Sequence, residues 1–274
     1  MTKAKKITVF GSDKRSNHIY KQFVSDGYAC KYITDPLLSE FQNTDILILP
    51  IPSFDKDECL NCTDITVYDL FNALKSETVI FAAKIPQIIK RIADEYKIHL
   101  YDYTDNEEFN ILNAVATAEG TIIEIYKKTQ KTILDSNYTV LGYGRIGHAL
   151  SVRLKALGGY VTVGARSAVA RAAAASDGLR SLTIEDAINS NNDSVIINTI
   201  PAPIINTDNI KNIKNTIIID LASAPGGLTE NAKMISGDNF IHALALPGKY
   251  YPETAGITIY KTIKSILQQT GDTL

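Results

Sequence analysis

Residues 142–147 have the types and spacing of a dinucleotide-binding turn. They read Gly-Tyr-Gly-Arg-Ile-Gly and lie between a strand-like run, residues 138–141, and a helix-like run. In such a turn the first glycine permits the tight bend, the second lets the backbone approach a pyrophosphate, and the third lets the helix pack closely on the sheet. The helix that begins there offers free N–H groups and a partial positive charge to phosphates. The sequence therefore predicts a cofactor-binding turn made of Gly142, Gly144, Arg145, Ile146 and Gly147.

The end of the next strand-like run, residues 160–163, indicates which dinucleotide binds. An NAD site usually carries an acid about 20 residues after the first glycine, where it holds the ribose hydroxyls. Here Arg166 and Ser167 occupy that neighbourhood, and the next acid is Asp177. An arginine fork can pair with a 2′-phosphate, and a serine adds a hydroxyl donor. The pattern predicts NADP, with two alternatives left open: NAD bound without an acid, or a βαβ unit that binds no nucleotide.

Length and composition are those of an ordinary globular protein. The chain has 274 residues, 45% of them hydrophobic, which is enough for one large domain or two medium ones. The net charge is −2 with Lys and Arg spread along the chain, so neither nucleic acid nor a membrane is an expected partner. Three cysteines without a secretory signal predict a cytoplasmic protein. Cys59 and Cys62 supply only half of a four-ligand zinc site, so no metal is predicted.

Strand-like and helix-like runs alternate along the chain, which favours parallel sheets with crossover helices. The predicted fold class is α/β, with two Rossmann-like parallel-sheet domains joined by connecting helices. The predicted strands cover residues 6–10, 29–33, 45–49, 78–81 and 98–101 in the first half, and 138–141, 160–163, 194–198, 216–220 and 239–243 in the second. The predicted domains are 1–105, a substrate or partner domain; 106–135, connecting helices; 136–252, the NADP-binding domain; and 253–274, a helix that packs back on the first domain.

The two halves differ in their capacity to bind a nucleotide. The first strand leads into Gly11 without a glycine-rich motif, so we expect no dinucleotide site in the first half. Helices are predicted there over residues 17–26 and 86–96. Between residues 106 and 134 apolar residues recur at helical spacing, and we expect Gly120 to interrupt that helix. Residues 253–269 form an amphipathic pattern with one apolar stripe.

Four parts of the sequence together resemble one family. They are residues 113–122, 140–147 with 163–167, 198–201 with 220–227, and 246–256. The patterns Asp-Leu-Ala-Ser-x-Pro-Gly-Gly and Leu-Pro-Gly followed by Pro-x-Thr-Ala-Gly are the most specific. These segments resemble the A subunits of dipicolinate synthase from spore-forming bacteria.

The resemblance implies an oxidoreductase that forms dipicolinate from a dihydrodipicolinate-type precursor, with NADP+ as hydride acceptor. It also implies that the partner is a flavoprotein-like B subunit and that the protein works in the mother cell of a sporulating bacterium, and it leaves a homodimer open. Two other interpretations remain. One is a different two-domain NADP-dependent dehydrogenase, of the shikimate or methylene-tetrahydrofolate type, and the other is a protein that senses NADP without catalysis.

Residues after the predicted strand ends supply several of the remaining candidates, because ligands of open α/β sheets bind there. Thr117, Glu119 and Thr254 lie instead in segments that connect the predicted domains. Thr199 and Pro201 are expected beside the nicotinamide ribose. Asp220 could orient a ligand, act as a base or cap a turn, and Glu119 could act as a base or fix a turn. Lys249 is the first candidate cation for a substrate carboxylate, ahead of Lys14 and Arg15.

The substrate is expected to be a small dicarboxylate held between the two domains. The turn after Asp220 is expected to present its N–H groups to a carboxylate. The candidate substrate-binding residues are Thr117, Ser223, Gly226, Gly227 and Thr254.

Overall fold

A computed structural model of the chain describes residues 5–190, 195–211, 213 and 216–270. The chain forms two compact units: Met1–Asn113 with Tyr251–Leu274, and Ala114–Tyr250. Each unit contains one sheet in which every strand pair is parallel. The predicted fold class of two Rossmann-like parallel-sheet domains is therefore confirmed. Within the described residues, no helix is both long and apolar enough to cross a bilayer.

The first unit is built on a five-stranded sheet of order β2-β1-β3-β4-β5. Its strands are β1 (Ile7–Phe10), β2 (Cys30–Ile33), β3 (Ile46–Ile48), β4 (Val79–Ala82) and β5 (His99–Asp102). Its helices in this part of the chain are α1 (Lys14–Ser25), α2 (Val67–Ala73) and α3 (Gln87–Glu95). Helix α1 starts three residues earlier than predicted because Asp13 caps its backbone N–H groups. The sequence does not predict helix α2, since seven residues are too few to establish a period.

The second unit is built on a six-stranded sheet of order β11-β10-β9-β6-β7-β8. Its strands are β6 (Asn137–Leu141), β7 (Tyr160–Gly164), β8 (Arg180–Leu182), β9 (Val195–Asn198), β10 (Ile217–Asp220) and β11 (Phe240–His242). The predicted start of β9 at Ser194 lies outside the described residues, and β8 is additional to the predicted strands. The order reverses between β6 and β9, which makes their carboxyl ends the switch point where such sheets bind ligands.

The next helices along the chain begin with a long one, whose residues through Asn113 belong to the first unit and whose remaining residues belong to the second. They are α4 (Glu107–Thr129), α5 (Arg145–Ala156), α6 (Ala168–Ser176), α7 (Ile184–Asn189), α8 (Thr207–Ile210), α9 (Glu230–Ser236) and α10 (Leu246–Tyr250). The predicted interruption at Gly120 is wrong, because α4 continues through it. A methyl group at Gly120 would lie 2.9 Å from Cβ of Leu246, so the glycine is needed for close packing of α4 on α10.

A last helix, α11 (Pro252–Thr270), belongs to the first unit. Its apolar stripe, which includes Ile259 and Ile263, packs into the core that contains Ile7 and Val9. A methyl group at Gly256 would lie 2.7 Å from the carbonyl oxygen of Arg15 in α1. The Thr-Ala-Gly motif therefore has a packing role here: its glycine lets α11 lie directly on α1.

Candidate functional site

The glycine-rich turn follows β6 at the switch point of the second sheet. Gly142 has φ +97°, a conformation that strains any other residue. A methyl group at Gly142 would lie 2.3 Å from Oγ1 of Thr199, so the turn is seated directly on the chain after β9. The Gly142 N–H also donates to the carbonyl of Gly164 at the end of β7 (2.8 Å), which fixes the turn to the neighbouring strand.

Gly147 is needed for close packing, whereas Gly144 leaves space open. A methyl group at Gly147 would lie 2.1 Å from the carbonyl oxygen of Gly142, so this glycine brings α5 against the turn. A methyl group at Gly144 would have no described atom beyond its chain neighbours within 4 Å. The turn therefore leaves open space at Gly144, where the sequence predicts that a pyrophosphate approaches the backbone, and the first turn of α5 carries no acid. Exposed Arg145 and half-buried Ile146 begin α5, and the whole arrangement fits a dinucleotide.

Tyr143 anchors this turn to the far end of α6, a contact that the sequence did not indicate. Its hydroxyl donates to Oδ2 of Asp177 (2.6 Å), and Nε2 of His148 lies 3.4 Å from the same oxygen. Burial, together with the bond to the Asp177 carboxylate, raises the pKa of Tyr143 above its ordinary value. Asp177, the first acid after the predicted ribose-binding position, is thus already engaged by two side chains.

Arg166 and Ser167 lie exposed on the loop between β7 and α6. Ser167 caps α6, since its Oγ accepts from the N–H of Ala170 at 3.1 Å. The hydroxyl proton is not used by that bond, so the cap does not conflict with the predicted donation to a phosphate.

Thr199 and Pro201 follow β9. The Thr199 hydroxyl donates to the carbonyl of Leu141 (2.8 Å), which ties this loop to the base of the glycine-rich turn. Pro201 is exposed. Thr199 therefore has a defined role in supporting the turn, whereas its predicted contact with a ribose stays a prediction.

Asp220 ends β10 and is entirely buried. Its Oδ1 accepts from Nδ2 of Asn198 (2.8 Å) and from the N–H of Ala222 (3.1 Å), and its Oδ2 accepts from the N–H of Gly227 (2.7 Å). A carboxylate with three such donors is well solvated by the protein. Of the roles predicted for Asp220, this geometry favours the one that caps a turn.

Asn198 links that turn to the loop after β9, and sequence reasoning missed it. Its amide donates to the carbonyl of Ile200 (2.9 Å) as well as to Asp220. A methyl group at Gly227 would lie 2.0 Å from Nδ2 of Asn198, so the turn closes over this amide. The sequence did carry a signal for this contact, because Asn198 and Asp220 are polar residues that each end an apolar strand-like run. In the structure the two residues pair in register on neighbouring strands.

The turn after Asp220 differs from the expectation in one respect. The Gly226 N–H donates to the carbonyl of Ser223 (2.9 Å), and the Gly227 N–H donates to Asp220. Both N–H groups are therefore used within the turn and do not face a substrate carboxylate. Ser223 itself is exposed, so its hydroxyl is the accessible polar group of this segment.

Glu119 and Thr117 lie on α4. Oε1 of Glu119 lies 3.3 Å from Nε of Arg153 in α5, and the Glu119 side chain is 45% exposed. Thr117 is buried. The sequence indicated no partner for Glu119, which lies 34 residues from Arg153 along the chain.

Lys249 is held by a buried carboxylate that sequence reasoning also missed. Its Nζ donates to Oε1 of Glu124 in α4 (2.6 Å), and the hydroxyl of Tyr250 donates to the same oxygen (2.6 Å). Burial raises the pKa of Glu124, but the hydrogen bonds from Lys249 and Tyr250 outweigh it and hold the pKa below its usual value. Glu124 in turn raises the pKa of Lys249, so the pair stays ionised. Lys127 donates to the Tyr250 hydroxyl (2.8 Å) and completes the cluster.

The remaining candidates belong to the first unit. Arg15 forms an ion pair with Asp13 (2.6 Å) and donates to the carbonyl of Ile51, while Lys14 is exposed. Thr254 is exposed near the start of α11. No group of three metal-ligating side chains occurs in the part of the chain that the structure describes.

The structure thus brings the glycine-rich turn, Thr199 and Asp220 together along one edge of the sheet. Contacts run from Gly142 to Thr199, through the adjacent Asn198 to Asp220, and on to Gly227. All of these residues lie at the carboxyl ends of β6, β9 and β10. Glu119 and Lys249 belong instead to two separate ion pairs of α4.

Several known proteins are similar to this chain. Residues 113–223 match the family model for the S-adenosyl-L-homocysteine hydrolase, NAD binding domain. The dipicolinate synthase A subunit of Bacillus subtilis (strain 168) is 30% identical over 236 residues, 84% of this chain and 80% of that protein. The crystal structure of the dipicolinate synthase A subunit from Bacillus halodurans has a TM-score of 0.84 at 25% identity, covering 97% of this chain and 99% of that one. D-lactate dehydrogenase from Escherichia coli shares the fold, with a TM-score of 0.65 at 13% identity over 98% of both chains.

These similarities support an oxidoreductase-type protein with a nicotinamide-dinucleotide-binding domain, and they agree with the geometry of the glycine-rich turn. The resemblance found in the sequence is confirmed by the identity and coverage of the Bacillus subtilis relative. The chain belongs to the family of dipicolinate synthase A subunits.

Proposed function

We propose that this chain is the NADP-dependent oxidoreductase component that forms dipicolinate from a dihydrodipicolinate-type precursor. The observation that carries the proposal is the open glycine-rich turn at the switch point, followed by an exposed arginine where an NAD site would carry an acid. Family membership supplies the reaction class. In this proposal the enzyme acts in spore formation, together with a flavoprotein-like B subunit.

The cofactor would be held by the turn and by the loop after β7. The backbone at Gly142, Gly144 and Gly147 shapes the pyrophosphate site, and Arg145 stands at the first position of α5. Arg166 and Ser167 would take the 2′-phosphate. When bound, NADP+ supplies the hydride acceptor for the reaction.

The protein must also orient the substrate ring and receive a proton, since aromatisation of a dihydropyridine releases a hydride and a proton. Asp220 is buried and accepts three hydrogen bonds, whereas Glu119 is partly exposed and oriented by Arg153. Glu119 is therefore the stronger candidate for the proton acceptor. Lys249 would bind a substrate carboxylate, with Ser223 as a neutral donor, and Glu124 would fix the Lys249 ammonium.

The direct test is an ultraviolet assay for dipicolinate. The precursor is generated freshly and mixed with NADP+ and the purified chain, with and without a co-expressed flavoprotein partner. Formation of dipicolinate with stoichiometric NADPH supports the proposal. Tight NADP binding without turnover under both conditions would indicate a sensing protein instead.

Arg166→Ala is expected to weaken NADP binding about 10- to 100-fold, because a charge-assisted hydrogen bond contributes about 1.5–3 kcal/mol. NAD binding should be unchanged, since NAD lacks the 2′-phosphate. Calorimetric titration of both cofactors against both proteins checks this. Equal binding of NAD and NADP to the wild-type protein would contradict the assignment of NADP.

Lys249→Ala is expected to raise the KM for the dicarboxylate about 10-fold and to leave NADP affinity unchanged, since one charge-assisted bond is lost. Lys127→Ala is the matched control, because Lys127 belongs to the same cluster but donates to Tyr250 rather than to Glu124. Steady-state kinetics of both variants measure the KM for the dicarboxylate. An equal rise in KM for both variants would show that Lys249 has no specific role.

A further inference from the structure

The loop that carries Arg166 is also contacted by a second guanidinium group. Nη1 of Arg171, in α6, donates to the carbonyl oxygens of Ala165 (2.9 Å) and Arg166 (2.8 Å). Two backbone bonds from one nitrogen fix the position of this guanidinium on the loop. The positive charge of Arg171 therefore lies next to Arg166, one of the residues proposed to bind the 2′-phosphate.

No ion pair among the described residues neutralises the arginines of this loop. The bonds of the Arg171 side chain among the described residues go to backbone carbonyls, and neither Arg166 nor Arg171 lies within 4.0 Å of a described carboxylate. Asp177, the acid at the end of α6, is engaged by Tyr143 and His148. Two arginines, one on the loop and one bonded to it from α6, without an ion-paired carboxylate favour an anionic ligand.

The unused donors of Arg171 suit such a ligand. Both carbonyl bonds employ Nη1, so Nε and Nη2 have no partner among the described residues. A guanidinium presents its donors in a rigid fork that matches phosphate oxygens. The α6 N-terminus, which Ser167 caps, adds a partial positive charge in the same loop.

We propose that Arg171 is a second determinant of the preference for a 2′-phosphate, with its charge placed on the Ala165–Arg166 loop by the two carbonyl bonds. The inference rests on the proposed function, since it assumes that the turn binds NADP. Its specific claim is that the charge of Arg171 contributes to the difference between NADP and NAD. A residue that only supported the loop would affect both cofactors alike.

The test uses the full chain and calorimetric titration with NADP and with NAD. Arg171→Met removes the charge and the bonds, and Arg171→Gln removes the charge but keeps an amide donor for the carbonyls. Arg180→Met is the matched control, because Arg180 is an exposed arginine at the amino end of β8, the opposite edge of the same sheet. The NADP-to-NAD affinity ratio should fall about 10-fold in both Arg171 variants and stay constant in Arg180→Met.

The outcomes distinguish the proposed NADP cofactor from the proposed role of Arg171. A wild-type protein without preference for NADP overturns the proposed cofactor itself. A wild-type preference that Arg171→Gln leaves unchanged overturns only the role of Arg171. A parallel loss of affinity for both cofactors also overturns it, because it shows loop support alone. If Arg171→Met does not fold, the Arg171→Gln titrations decide by the same criteria.

Discussion

Replacing Gly144 by valine is expected to abolish NADP binding while the protein stays folded. The backbone at Gly144 has φ −83°, which valine adopts without strain, and open space surrounds the added side chain. The cost to helix capping is about 1 kcal/mol. The branched side chain would fill the space of the pyrophosphate and lower affinity about 100-fold or more. Calorimetry and urea denaturation of the same sample measure both effects.

Gly147→Val provides the contrasting control. Its side chain would meet the Gly142 carbonyl at 2.1 Å, so the turn itself must move and both stability and binding should fall. Retained NADP affinity in Gly144→Val would mean that this turn does not hold the diphosphate.

The second large effect is expected at Asp220. Asp220→Ala leaves three buried donors, on Asn198, Ala222 and Gly227, without their acceptor. Breaking such a buried charged network costs about 3–5 kcal/mol. The free energy of unfolding from urea denaturation should fall by that amount, with an unchanged m value.

Ser223→Ala serves as the neighbouring control, because Ser223 is exposed in the same turn and should change stability by less than about 0.5 kcal/mol. A loss of activity without a loss of stability would contradict the turn-capping role of Asp220. If Asp220→Ala kept wild-type stability and lost kcat, Asp220 would act as the base and Glu119 would not.

The sequence was sufficient to predict the elements that depend on local patterns. Apolar runs of strand length alternating with helical periods predicted two parallel sheets, because burial on both faces demands such runs. The spacing from Gly142 to Gly147 located the switch-point turn, since its geometry depends on residues within one turn of chain. The strand-end position of Asp220 likewise followed from a run of isoleucines.

Only the tertiary structure decided which of these polar residues are paired. The sequence predicts Lys249 as a cation for a substrate carboxylate, but it does not indicate that Glu124, 125 residues away, holds the Lys249 ammonium. It predicts that Gly120 interrupts a helix, but Leu246 packs against this glycine. Local patterns predict elements because hydrogen bonding and burial within an element involve near neighbours, whereas partners of a charge or a glycine are set by how distant elements pack. The sequence by itself determined the fold class and the nucleotide turn, and packing decided which charges remain for a ligand.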